Sequence, residues 1–172
     1  MIYFTGDTHF SHPLMAELRG FNSTKEMDDH IIKIWNETIK TGDSIYFLGD
    51  FVFGKPDEIK KYRAQLKGRI HLLLGNHDYR NHINKLSQLF SSVHDLLTIK
   101  YNHKKIVLCH YSMRVWDSSR YNSFHLYAHS HGNLEGQSKS FDVGWDKFHR
   151  PVPIDEVLEI FETLPDNINY IK

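Results

Sequence analysis

Five short apolar runs in this chain stop on a residue that can bind a metal, and this limits the folds open to it more than any other feature. IYFTG (2–6) leads into Asp7, SIYFLG (44–49) into Asp50 and RIHLLLG (69–75) into Asn76, while KKIVLCH (104–110) closes on His110 and FHLYAH (124–129) on His129. Runs of this length, rich in β-branched and aromatic residues, read as buried strands. Between them, TKEMDDHIIKIWNETIK (24–40) sets Met27, Ile31, Ile34, Trp35 and Thr38 at helical spacing, with Thr24 as the expected N-cap. KPDEIKKYRAQL (55–66), NHINKLSQLF (81–90) and IDEVLEIFETL (154–164) predict further helices. Strands alternating with helices give an α/β architecture. SVHDLLTIKY (92–101) and KKIVLCH flank Asn102 and His103 as a hairpin would, so some pairing is antiparallel and a mixed sheet, or two stacked sheets, is expected.

In α/β sheets, ligands gather at the carboxyl ends of strands, so residues remote in sequence converge on one rim. Asp7 with His9, and His129 with His131, are each separated by one residue. Such a pair shares a face in extended backbone and could grip one ion. Asp7, His9, Asp50, Asn76, His110, His129 and His131 form an oxygen and nitrogen set suited to Mn, Fe, Zn, Co or Ni. That many donors would overfill one cation but suit two sharing a carboxylate.

Bulk properties narrow the rest. Length and the absence of repeats or linkers predict one domain over 1–172. With 21 basic and 21 acidic residues no extended nucleic-acid surface is expected. A single cysteine, Cys109, leaves no intramolecular disulfide and suits a reducing compartment, while no segment resembles a leader or membrane span, so a cytoplasmic protein is expected. Of the 13 histidines, those outside the strand-end blocks, His12 and His125 among them, are expected to be structural.

The blocks GDTH (6–9), GD (49–50), GNHD (75–78), His110 and AHSH (128–131), in that order, resemble the calcineurin-like metallophosphoesterase superfamily and its small bacterial and phage branch. The resemblance implies a four-layer αββα sandwich of two mixed β-sheets flanked by helices. It implies two divalent cations, manganese favoured, one held by Asp7, His9, Asp50 and His131 and the other by Asp50, Asn76, His110 and His129, with Asp50 as the bridge. It also places His77 toward the substrate. Ala128 stands where the last block usually begins with glycine.

Two such cations lower the pKa of a shared water and neutralise phosphoryl oxygens, so the expected reaction is attack of a metal-bridging hydroxide on a phosphoester. His77, oriented by Asp78, would assist the leaving group, and Arg80 and Arg114 are candidate phosphate clamps. A small phosphodiester is the preferred substrate, nucleotide-type or an RNA end, because a chain of this length leaves little material for a cap. A phosphomonoesterase is the alternative, and a non-catalytic scaffold on the same fold a more distant one.

Overall fold

The computed structural model describes residues 1–78, 83 and 87–171. Two mixed β-sheets stack face to face with helices flanking them. In the first, β1 (Ile2–Thr5), β2 (Ser44–Phe47), β3 (Arg69–Leu73) and β4 (Ser92–His94) are parallel, and β9 (Val152–Pro153) pairs antiparallel with β1, in the order β4-β3-β2-β1-β9. The second has the order β5-β6-β7-β8, with β5 (Leu96–Tyr101) antiparallel to β6 (Lys104–Cys109), and β6, β7 (Phe124–Tyr127) and β8 (Ser140–Asp142) parallel.

The period-two alternation of strand side chains builds two cores. Tyr3, Ile45, Phe47, Ile70 and Leu72 face one way, meeting Met27, Ile31 and Trp35 of α2 (Thr24–Thr38) and Ile59 and Tyr62 of α3 (Pro56–Arg63). Phe4, Leu73, Ile106, Leu108, Phe124 and Leu126 face the other way and fill the space between the sheets, closed by Ile154, Val157 and Phe161 of the C-terminal helix (Ile154–Thr163). Phe161 stacks on Phe124 at 4.1 Å between centroids; burying a ring of that size is worth roughly 1.5–3 kcal/mol.

The expected strands and helices form, with local corrections. Ser23, not Thr24, caps α2, its hydroxyl accepting from the Glu26 amide at 3.2 Å. The run 92–101 is not one strand: it leaves the first sheet at His94 and enters the second at Leu96. Asn102 and His103 form the hairpin turn, both left-handed. Of the helix expected over 81–90, Ile83 is helical and Ser87–Leu89 is a 3₁₀ turn, the remainder lying outside the described residues. Among the described residues there are two further short helices, α1 (Pro13–Leu18) and α4 (Trp145–Phe148), so the C-terminal helix is numbered α5. Among the described residues no helix is long and apolar enough to cross a membrane.

Candidate metal centre

Every candidate ligand sits just beyond the carboxyl end of a parallel strand: Asp7 and His9 after β1, Asp50 after β2, Asn76 after β3, His110 after β6, and His129 and His131 after β7. The two sheets therefore contribute opposite walls of one cleft. The paired residues do not use extended backbone. Asp7, His9, Asp50, His129 and His131 all have φ between 48° and 66°. Left-handed backbone costs a side-chain-bearing residue free energy, and its concentration here marks a site where geometry has been placed ahead of local stability. Neighbouring loops approach so closely that a Cβ on Gly75 would lie 2.2 Å from Asp50 Oδ1.

The donors form two adjoining groups, Asp7 with His9 and His131, and Asp50 with His110 and His129; in each, one ligand atom per residue lies within 4.8 Å of the others. Asp50 Oδ2 lies between them, 3.5 Å from His9 Nε2 and 3.6 Å from His110 Nε2. Asn76 joins the second group through Oδ1, 3.0 Å from His110 Nε2. The groups differ in access: Asp7 and His9 are buried, whereas Asn76 and His129 are exposed.

Several of these donor atoms have no hydrogen-bond partner of their own. Asp7 Oδ1 and both ring nitrogens of His9 are buried with no hydrogen-bond partner. His110 donates from Nδ1 to the Leu48 carbonyl at 2.7 Å, so its bare Nε2 faces Asn76 Oδ1 and, at 3.2 Å, His129 Nδ1. Burial, then the Asp50 and Asp142 charges, push the Asp7 carboxyl well above the ordinary range. Burial and neighbouring histidines and Arg19 lower His9 to about 2, and burial lowers His110 to about 4, leaving neutral imidazoles with lone pairs turned inward. Buried carboxylates and bare imidazoles aimed at a common space are the donor chemistry of a divalent cation, and these residues fit one.

Side chains outside the strand-end blocks hold this arrangement. Arg19, just past α1, donates to the Asp7 and Thr8 carbonyls at 2.6 and 2.9 Å and to both oxygens of Asp146 at 2.7 and 2.8 Å. Asp146 in turn accepts from His131 Nδ1 at 2.6 Å. Asp142, ending β8, takes the Ser130 hydroxyl and the Gly132 and Gly144 amides, and so fixes the turn that carries His129 and His131. None of the three belongs to a motif readable in one sequence.

His77 donates its amide to Asp50 Oδ1 at 2.8 Å, and its ring lies 5.1 Å from that of His9. Asp78 accepts from the amides of Asp50, Phe51 and Gly75 at 2.7–3.1 Å. Among the hydrogen bonds of the described residues none joins Asp78 to the His77 ring, because both its oxygens are engaged by backbone; it braces the Asp50 loop instead. Arg114 is exposed on the loop after His110, and Arg80 lies outside the described residues.

Comparison with known proteins bears on the fold and the family. An uncharacterised protein of Methanocaldococcus jannaschii is 30% identical, over 94% of this chain and 91% of that one. The gene 66 protein of Mycobacterium phage D29 is 27% identical, with 97% and 98% covered. A protein of unknown function from Aquifex aeolicus shares the fold with a TM-score of 0.74 at 24% identity, covering 93% of this chain and 98% of that one. An archaeal phosphodiesterase does so at 0.52 and 18%, covering 83% and 81%. A family model described as calcineurin-like phosphoesterase matches residues 1–171. With ligand-type residues from five strand ends gathered in one cleft and that match spanning nearly the whole sequence, the chain belongs to the calcineurin-like phosphoesterase family.

Proposed function

We propose that this protein hydrolyses a small phosphodiester of nucleotide type, using two divalent cations, manganese by preference. Asp7, His9, Asp50 and His131 would hold one, and Asp50, Asn76, His110 and His129 the other. The observation that carries the reading is Asp50 Oδ2 standing between the two donor groups, 3.5 Å from His9 Nε2 and 3.6 Å from His110 Nε2. Bound there, such cations supply positive charge for the phosphoryl oxygens and an acidified water at neutral pH.

The chain's own groups do the rest. His77, with its backbone fixed to Asp50, offers a ring nitrogen from which the departing ester oxygen takes a hydrogen bond or a proton. Asp78 fixes the loop behind Asp50 through three amides. Arg114 is exposed and free to engage a phosphoryl oxygen, and Arg80 is the second candidate clamp. The exposed Asn76 and His129 leave the centre open on one side, which suits a substrate that extends past the reacting phosphorus. A scaffold would have no use for buried carboxylates and strained ligand turns.

The test is turnover of bis-p-nitrophenyl phosphate against p-nitrophenyl phosphate by manganese-loaded protein. Faster diester hydrolysis is expected. Faster monoester hydrolysis would reassign the protein as a phosphomonoesterase, and cleavage of neither, with metal content verified, would remove the catalytic reading.

A further inference from the structure

Three imidazoles stand at the corners of a nearly equilateral triangle beside the cleft. Ring centroids are 5.4 Å apart for His9 and His12, 5.1 Å for His9 and His77, and 5.7 Å for His12 and His77, and the three pairs are steeply crossed at 85°, 78° and 76°. One ring nitrogen of each lies within 4.8 Å of the other two. A tetrahedral zinc bonded to three imidazole nitrogens at roughly 2.0–2.1 Å sets the ring centres about 5 Å apart. The ring centres stand a little wider than that spacing, and the ring nitrogens, within 4.8 Å of one another, would close to roughly 3.3 Å as the side chains turn toward a shared ion. His12 Nδ1 and both nitrogens of His9 are buried without a hydrogen-bond partner.

We propose that His9, His12 and His77 form a nitrogen-only zinc site, which shares His9 with the carboxylate-bearing group of Asp7 and His131 and whose occupation switches the enzyme off. A set without an oxygen donor favours zinc over manganese. A neutral imidazole presents one lone pair, so His9 serves one cation at a time and zinc in the triangle withdraws it from Asp7 and His131. The same ion ties up the His77 nitrogen. The inhibitory half rests on the hydrolytic reading above; the binding half does not. His12 packs on Phe53 at 4.1 Å and its side chain makes no capping bond to α1, so replacing it spares the helix.

The experiment compares wild type with His12→Phe, which keeps the contact with Phe53, and with His12→Gln. Protein saturated with manganese is titrated with zinc while bis-p-nitrophenyl phosphate hydrolysis is followed, and zinc binding is measured in parallel by equilibrium dialysis. Both variants should match wild type without zinc, need at least about tenfold more zinc for half-inhibition, and lose one class of bound zinc. Equal zinc sensitivity in all three proteins would mean that zinc acts by replacing manganese and would overturn the switch. If none hydrolyses the ester, the hydrolytic reading fails while dialysis still decides the site: zinc bound equally by wild type and variants sinks it.

Discussion

His131 Nδ1 and Asp146 Oδ2 stand 2.6 Å apart, and Arg19 donates to both oxygens of the same carboxylate at 2.7 and 2.8 Å. Burial opposes charge on Asp146, but the bonds from His131 and Arg19 prevail and hold its carboxyl far below the usual range. An ionised Asp146 keeps the His131 proton on Nδ1 and leaves Nε2 bare toward the cleft. Asp146→Ala should weaken binding of one of two manganese equivalents by about 10- to 100-fold and leave the other nearly unchanged. Calorimetric titration reads this directly; superimposable isotherms would deny the carboxylate that role.

His77→Ala should lower turnover by about 10²- to 10⁴-fold while manganese content stays constant. Metal analysis of the purified variant beside its initial rate separates the two effects. A variant as fast as wild type would take His77 out of the reaction.

Ala128 fits because residue 6 is glycine. A Cβ built on Gly6 would lie 2.8 Å from Ala128 Cβ and 3.2 Å from the Leu48 carbonyl oxygen. Gly6→Ala should destabilise the protein by about 1–3 kcal/mol through overpacking, Ala128→Gly by less, and the double variant should recover part of the loss. Urea midpoints of the four proteins close the cycle. Strict additivity would show that the two sites do not share the space.

His125 makes the fold acid-sensitive. Its Nδ1 donates to the Val107 carbonyl at 3.0 Å and its Nε2 accepts from the Met113 amide at 3.2 Å, a fully bonded neutral ring. Burial lowers its pKa from 6.5 to about 4. The unfolded chain therefore takes up the proton first, and the stabilisation, complete above pH 6.5, is lost as pH falls toward 4; a shift of this size corresponds to about 3 kcal/mol. Unfolding free energies of wild type and His125→Gln, measured from pH 7 to 4.5, should converge as acid is added. Parallel curves would rule the ring out as the source.

Much of this was legible from residues 1–131, because strand ends announce themselves: an apolar run that stops on Asp50 or Asn76 needs no partner in sequence to be noticed. The Asn102–His103 turn was equally plain. Two kinds of feature were not. Strands of two or three residues, β8 and β9, carry too few side chains to show a period. Arg19 and Asp146 meet across 127 positions, and neither an arginine after a short helix nor an aspartate in GWDK differs locally from a solvated one. Asp7 and His9 come together without the extended backbone that their spacing suggests, since spacing reveals that two side chains can converge but not that both residues are left-handed. A signal for α1 was present, with Pro13 opening it and Gly20 at φ 78° shortly after its end.

The chain spends one residue, Asp95, in passing from β4 to β5. The junction leaves little slack and the sheets share one buried core, so opening the site by swinging one sheet from the other would break that packing. Entry and exit then fall to side chains at the mouth, and turnover should be indifferent to solvent viscosity.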